Sequence, residues 1–185
     1  MYLPTTHIAF GILGSVLSGF ILKTPVTRGM VIGSMVISIL PDIDYIYYLI
    51  RFGVRPAKYS HEHRQVLTHS FFPYLIIAVL LFFLKSRIWG VIFLVASLSH
   101  LILDSVRSPW GIRWFWPFSY RYYSLGLKTG FHSFTQKQLD KFTAQRNNKA
   151  WVERFLRWDN PYFLFEFLVT IFLGAFLFFF FIKYF

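Results

Sequence analysis

Four histidines and three aspartates are the side chains best suited to chemistry in this sequence: His7, Asp42, Asp44, His63, His69, His100 and Asp104. There is no cysteine, so a metal would be held by imidazole and carboxylate alone. That donor set suits Zn²⁺, and also Mn²⁺ or Fe²⁺, better than an all-oxygen calcium site. His100 and Asp104 stand four residues apart, and on a helix they share one face with Cβ atoms about 6 Å apart, close enough to hold one cation. Asp42 and Asp44 follow Pro41. Residues two apart on a regular helix face different ways, so either the proline distorts the helix or only one of the two is a ligand. In His61-Glu62-His63-Arg64-Gln65-Val66-Leu67-Thr68-His69-Ser70, His63 and His69 are the candidate ligands. Arg64 has the planar fork that grips a phosphate with two hydrogen bonds, and Thr68 or Ser70 is expected to cap the helix that follows. Seven donors exceed what one tetrahedral zinc takes, so two or more ions are expected. Paired ions activate a water and stabilise the leaving oxygen of a phosphoester. The expected reaction is hydrolysis of a phosphoric ester.

These residues are spread over a hundred positions, so the elements that carry them must bring them together. The chain has 185 residues, of which 56% are hydrophobic and 22% aromatic, and its mean hydropathy is +0.50. Ordinary soluble domains are less apolar and more charged. Crossing a hydrocarbon core of about 30 Å takes roughly 17 to 25 residues of helix. Five stretches qualify: 5–22, 29–50, 70–86, 88–105 and 161–182. The expected fold is all-α, a polytopic bundle of about five transmembrane helices forming a single domain over 1–185, with an interfacial segment at 106–160 between the fourth and fifth spans.

Threading these spans through a bilayer brings His7, Asp42, Asp44, His63, His69, His100 and Asp104 to the same membrane face. Glu166 lies about one and a half turns inside the fifth span, placed to act as a general base or further ligand. Met1 to Thr6 carries no basic residue and no small-residue cleavage site precedes Lys23, so the first span is expected to be retained and not removed as a signal peptide. Its Gly11, Gly14, Ser15, Ser18 and Gly19 are the small residues that let membrane helices approach closely. The segment around Trp110, Trp114, Trp116, Tyr120, Tyr122 and Tyr123 suits an aromatic belt at headgroup level. From Thr135 to Trp158 an amphipathic interfacial helix is expected, with Leu139, Phe142, Trp151, Phe155 and Trp158 towards lipid. His132 has no partner nearby in sequence and reads as an ordinary interfacial histidine.

The net charge is +11. Sorted by the threading, 14 lysines and arginines fall on the face that holds the N-terminus and five on the other. The positive-inside rule then puts the N-terminus and the candidate ligands in the cytoplasm, with the C-terminus outside. Lys23 and Arg28 after the first helix pull the other way. A basic face of this kind is a topological signature that also attracts anionic lipid heads. Membrane lipid is therefore the expected partner, and nucleic acid is not.

The motifs His7, Leu40-Pro41-Asp42-Ile43-Asp44, His63-Arg64, Thr68-His69-Ser70 and His100-Leu101-Ile102-Leu103-Asp104, followed by Trp110-Gly111-Ile112-Arg113 and Trp116-Pro117-Phe118-Ser119, resemble the YdjM-like family. Its members are membrane-bound proteins assigned as metal-dependent hydrolases and also labelled LexA-binding. They are specific as a set and cover about two thirds of the chain. The resemblance implies a helical membrane bundle with a metal-dependent hydrolase activity. More remotely, the order of motifs is similar to zinc-dependent phospholipase C. That likeness implies one site built from Asp42 or Asp44 with His69, His100 and Asp104, and a second in which His7 shares Asp104.

The reading favoured is a phosphoesterase acting on a lipid-linked or headgroup phosphate, with Arg64 or Arg113 as phosphate binder and Asp42 or Glu166 as general base. The alternatives are a noncatalytic scaffold or regulator-binding protein and a cation transporter. Transporter sites usually sit near the midplane between repeated halves, whereas these residues gather at one face and no repeat is visible.

Overall fold

A computed structural model describes residues 4–52, 67–106, 111–125, 131–144 and 159–184. It is mostly helical. Helix α1 spans Pro4–Ile21, α2 Arg28–Ile39 and α3 Ile43–Phe52, with a 3-10 turn at Leu40–Asp42 joining the last two. A second 3-10 turn, Leu67–His69, leads into α4 (Phe71–Leu84), and α5 follows at Arg87–Ser105. A hairpin of β1 (Tyr122–Leu125) and β2 (Phe131–Phe134), then α6 (Gln136–Ala144) and α7 (Pro161–Tyr184), complete the described chain.

Three helices are long and apolar enough to cross a membrane: α1, α5 and residues 161–180 of α7. The other two expected spans are shorter. At about 1.5 Å per residue, the 14 residues of α4 reach only about 21 Å. The second span is divided because Pro41 has no N–H, and a tight 3-10 turn replaces the α-helical path there. The expectation of a purely α fold also needs correction. Tyr122–Leu125 and Phe131–Phe134 form an antiparallel ladder with Tyr122 opposite Phe134 and Leu125 opposite Phe131.

Helix α5 is the centre of the bundle and packs against α1, α2 and α4. The small residues of α1 form its packed face: Gly11, Gly14, Ser15, Ser18 and Gly19 are all buried. Buried hydroxyls would be costly in an apolar bundle, but these return to their own helices. Ser15 donates to the Ile12 carbonyl, Ser18 to Gly14, Ser34 to Val31 and Ser97 to Phe93. Such side chains pack like small apolar residues without needing a partner on the next helix. At Gly11 a Cβ would lie 2.6 Å from the Ser38 side chain and 2.7 Å from the Ser34 carbonyl. Only glycine allows α1 and α2 this close.

The described part of the segment expected on the membrane packs over one end of the bundle. The Trp114 carbonyl accepts from the first free N–H of α4, at Phe71, and the Trp114 indole donates to Ser105 Oγ at the end of α5. Ile112 joins Tyr74, Ala78, Phe93 and Leu101 in a buried cluster. Phe118 and Tyr120 remain exposed. Leu139 of α6, expected on the lipid side, is buried, while Trp151, Phe155 and Trp158 lie outside the described residues. The last helix differs from the others, since only 11% of its span is buried and it rests chiefly against α1.

Overpacking a tight contact typically costs about 1–3 kcal/mol. Gly11→Val should lower stability by that amount, read as an earlier thermal unfolding transition in detergent micelles, while the same change at Gly174, where a Cβ meets nothing, should leave it unmoved.

Candidate metal centre

Four elements end at the same place. The first turn of α1 supplies His7, the 3-10 turn after α2 supplies Asp42, the turn before α4 supplies His69, and the last turns of α5 supply His100 and Asp104. Donor atoms of Asp42, His69, His100 and Asp104 all lie within 4.8 Å of one another. His69 Nε2 is 3.7 Å from Asp42 Oδ1 and 3.4 Å from Asp104 Oδ2. His100 Nε2 is 3.6 Å from Asp42 Oδ1 and 3.8 Å from Asp104 Oδ2.

These separations are longer than the roughly 2.7–3.2 Å of good hydrogen bonds. They match a different geometry. Donors held about 2.0–2.2 Å from a tetrahedral ion lie about 3.3–3.6 Å from each other. Donor chemistry agrees, because His100 Nδ1 is 2.7 Å from the Ser38 carbonyl, which can only accept. Nδ1 therefore donates to that carbonyl, and Nε2, buried and without a hydrogen-bond partner, is the nitrogen left to face an ion. A histidine oriented by a carbonyl on its far nitrogen is the usual arrangement of a metal ligand.

The local sequence explains why that carbonyl is available. At the end of α2 the Leu40 N–H bonds to the Ile37 carbonyl in 3-10 fashion. The next carbonyl, Ser38, would be taken in the same pattern by residue 41. That residue is proline, which has no N–H, so the Ser38 oxygen turns to His100.

The 3-10 turn also answers the question of the two aspartates. Both reach His69, from different sides. Asp42 faces Nε2, whereas Asp44 Oδ2 lies 3.4 Å from Nδ1. Asp44 Oδ2 also accepts from Thr68 Oγ1 at 2.6 Å. In turn the Thr68 carbonyl accepts from Tyr74 Oη at 2.7 Å. Asp44 thus supports His69 and lies outside the four-atom set. The capping role expected of Thr68 or Ser70 is not observed: Thr68 serves Asp44, and Ser70 donates to the Leu67 carbonyl. Burial works against a charge on His69, yet Asp104, Asp42 and Asp44 overcome it and hold its pKa up at about 10. The pocket favours a positive charge.

His7 stacks on His100 with ring centroids 3.9 Å apart, and its Nε2 lies 3.7 Å from Asp104 Oδ1. Asp104 therefore turns one oxygen to the four-atom set and the other to His7. Glu166 is buried and accepts from Thr6 Oγ1 at 2.7 Å, one residue before His7. Arg113 donates to Gln136 Oε1 at 3.1 Å and lies 4.7 Å over the Tyr122 ring. Burial pushes the Tyr122 phenol up, with Arg113 pulling the other way. His132 stands on β2, beside Phe134. His63 and Arg64 fall outside the described residues.

Two supporting groups escaped the sequence, the Ser38 and Trp114 carbonyls, because a backbone oxygen has no residue-type signature. Pro41 was the signal for the first.

Removing a group that only orients a ligand typically weakens metal affinity about 10–100-fold. With zinc titrated into purified protein against a competing chelator, Asp44→Asn and Pro41→Ala should show that weakening with unchanged stoichiometry, whereas Asp42→Ala should lose the ion. Loss of stoichiometry in Asp44→Asn would make Asp44 a ligand.

Comparison with curated proteins and with solved structures finds no match. A family model does match, over residues 1–184, and its description is YdjM inner membrane protein. The apolar helices, the single end at which the histidines and aspartates meet, and this match over nearly the whole chain make the protein a member of the YdjM inner membrane protein family.

Proposed function

We propose that the chain is a metal-dependent hydrolase of phosphoesters at the membrane surface, acting on a lipid-linked or headgroup phosphate. The observation that carries this reading is the buried set of two imidazoles and two carboxylates spaced 3.4–3.8 Å apart. His69, His100, Asp42 and Asp104 would hold one divalent ion, with zinc the best fit to four such donors and manganese or iron also suited. A second ion shared by His7 and the other oxygen of Asp104 is part of the same proposal, supported by their 3.7 Å separation. A bound ion of this kind supplies a Lewis acid and a water acidic enough to ionise near neutral pH.

The protein's own residues would do the rest. Asp42 is the member of the set with an exposed edge, 25% of its side chain, so it is the carboxylate that water or substrate would meet first. His69 is kept in register by Asp44 and Thr68, and His100 by Ser38. Glu166 would fix the start of α1, and with it His7, through Thr6. Arg113 and Arg64 are the proposed phosphate binders. The case for Arg113 rests on its neighbour, since the Trp114 carbonyl caps α4 two residues after His69. The excess of lysine and arginine on the site-bearing face supports a cytoplasmic placement of the N-terminus and the centre.

The test is metal analysis together with hydrolysis of phosphatidic acid by the protein reconstituted in vesicles. His100→Ala and Asp104→Ala should lose both the ion and phosphate release. If both variants keep bound metal and full turnover, the proposal fails. An ion bound in the unmodified protein without turnover on any phosphoester would make the centre a structural clamp in a noncatalytic scaffold.

A further inference from the structure

The bundle encloses the centre on most sides. Of the four side chains, His69, His100 and Asp104 are buried, and Asp42 alone has an exposed edge. What surrounds that edge determines what can reach the centre. Along α2, the 3-10 turn and α3, the residues Ile32, Val36, Ile39, Ile43 and Tyr47 are between 37% and 58% exposed. Their spacing of four, three, four and four residues puts them on one face of a nearly continuous helical path. The stripe is apolar throughout, apart from one phenol at its end. It runs past Asp42, which leaves the backbone between Ile39 and Ile43.

The neighbouring turn adds a further exposed apolar side chain. The turn that ends at His69 begins with Leu67, which is also exposed, and the two 3-10 turns pack against each other. A site serving a soluble phosphoester would be expected to present a polar rim to water. Here exposed aliphatic side chains flank the one open carboxylate, on the outer face of a helical segment in a membrane bundle.

We infer that the substrate reaches the centre sideways from the bilayer, its acyl chains along Val36, Ile39 and Ile43 and its phosphate headgroup at the Asp42 edge between Ile43 and Leu67. This inference rests on the proposed hydrolase reading of a lipid phosphate and adds to it the route by which that lipid reaches the centre. An amphiphile arriving this way keeps its chains in hydrocarbon while only its headgroup changes surroundings.

Because the chain has no cysteine, single-cysteine labelling needs no background substitutions. Ile39→Cys and Ile43→Cys, spin-labelled in phosphatidylcholine vesicles, should relax faster with oxygen than with a water-soluble nickel chelate. In the same vesicles, phosphatidic acid carrying a diazirine high on its acyl chain should label the unmodified protein near Ile39, Ile43 and Leu67. An excess of unlabelled phosphatidic acid should reduce those adducts about tenfold, while glycerol 3-phosphate should leave them unchanged. Adducts at Leu168, on the exposed face of α7, should not respond to either. The inference is overturned if the labels favour the nickel chelate, if glycerol 3-phosphate competes as well as the lipid, or if adducts at positions 39 and 43 are as indifferent to phosphatidic acid as those on α7. Metal content measured on the same sample separates the two ideas. Selective lipid adducts on a protein that binds no metal would sink the hydrolase and leave the route standing.

Discussion

The proline at position 41 lacks one hydrogen, and the arrangement of the centre depends on that gap. Had residue 41 carried an N–H, it would share the Ser38 carbonyl with His100 Nδ1, and the bond that turns Nε2 towards Asp42 and Asp104 would be weaker. The same missing hydrogen ends α2 and begins a 3-10 turn, which carries Asp42 to one side of His69 and Asp44 to the other. One residue bears on both the orientation of one ligand and the placement of another. The close approach of α1 at Gly11 completes the arrangement, since it seats the first helix directly on Ser34 and Ser38.

A membrane bundle restricts how such a cluster can be built. A polar group left unsatisfied in an apolar setting costs about 2–7 kcal/mol, depending on the reference state. The structure meets this constraint in two ways. Serine hydroxyls along α1, α2 and α5 bond to their own helices and require nothing from their neighbours. The buried ionisable groups among the described residues are instead concentrated at one end, where carboxylates and imidazoles face each other. Glu166 follows the same rule: on a helix that is otherwise mostly bare, it is buried against the hydroxyl of Thr6.

How much of this was legible in the sequence depends on how local each signal is. His100 and Asp104 could be paired from helical period alone, and the small face of α1 from its glycines and serines. The gathering of ligands at one end followed from counting membrane crossings, even though α4 and the divided second span are shorter than a full crossing. The choice between Asp42 and Asp44 was not legible, because it depends on the rotation of one 3-10 turn. Thr68 resembled a helix cap, as its position before α4 suggested, but a carboxylate 24 residues earlier in the chain is the stronger acceptor at that spot. The hairpin at 122–134 was hidden by its aromatic content, which suits an interfacial belt as well as a strand. Leu139 was assigned to lipid because its helical period was visible, whereas the tertiary packing that buries it was not.

The four-atom set also has an electrical character that its distances do not convey. As metal ligands the two imidazoles would have to give up any proton and be neutral, so with the two carboxylates the occupied set would contribute two negative charges, at the edge of a medium that tolerates net charge poorly. A monovalent cation leaves one of those charges uncompensated, a trivalent cation overshoots, and a divalent cation makes the unit neutral. Asp44 stands outside the set, bonded to Thr68. For an ion held by this set, electroneutrality at a low-dielectric boundary would favour a divalent charge before coordination geometry favoured an identity.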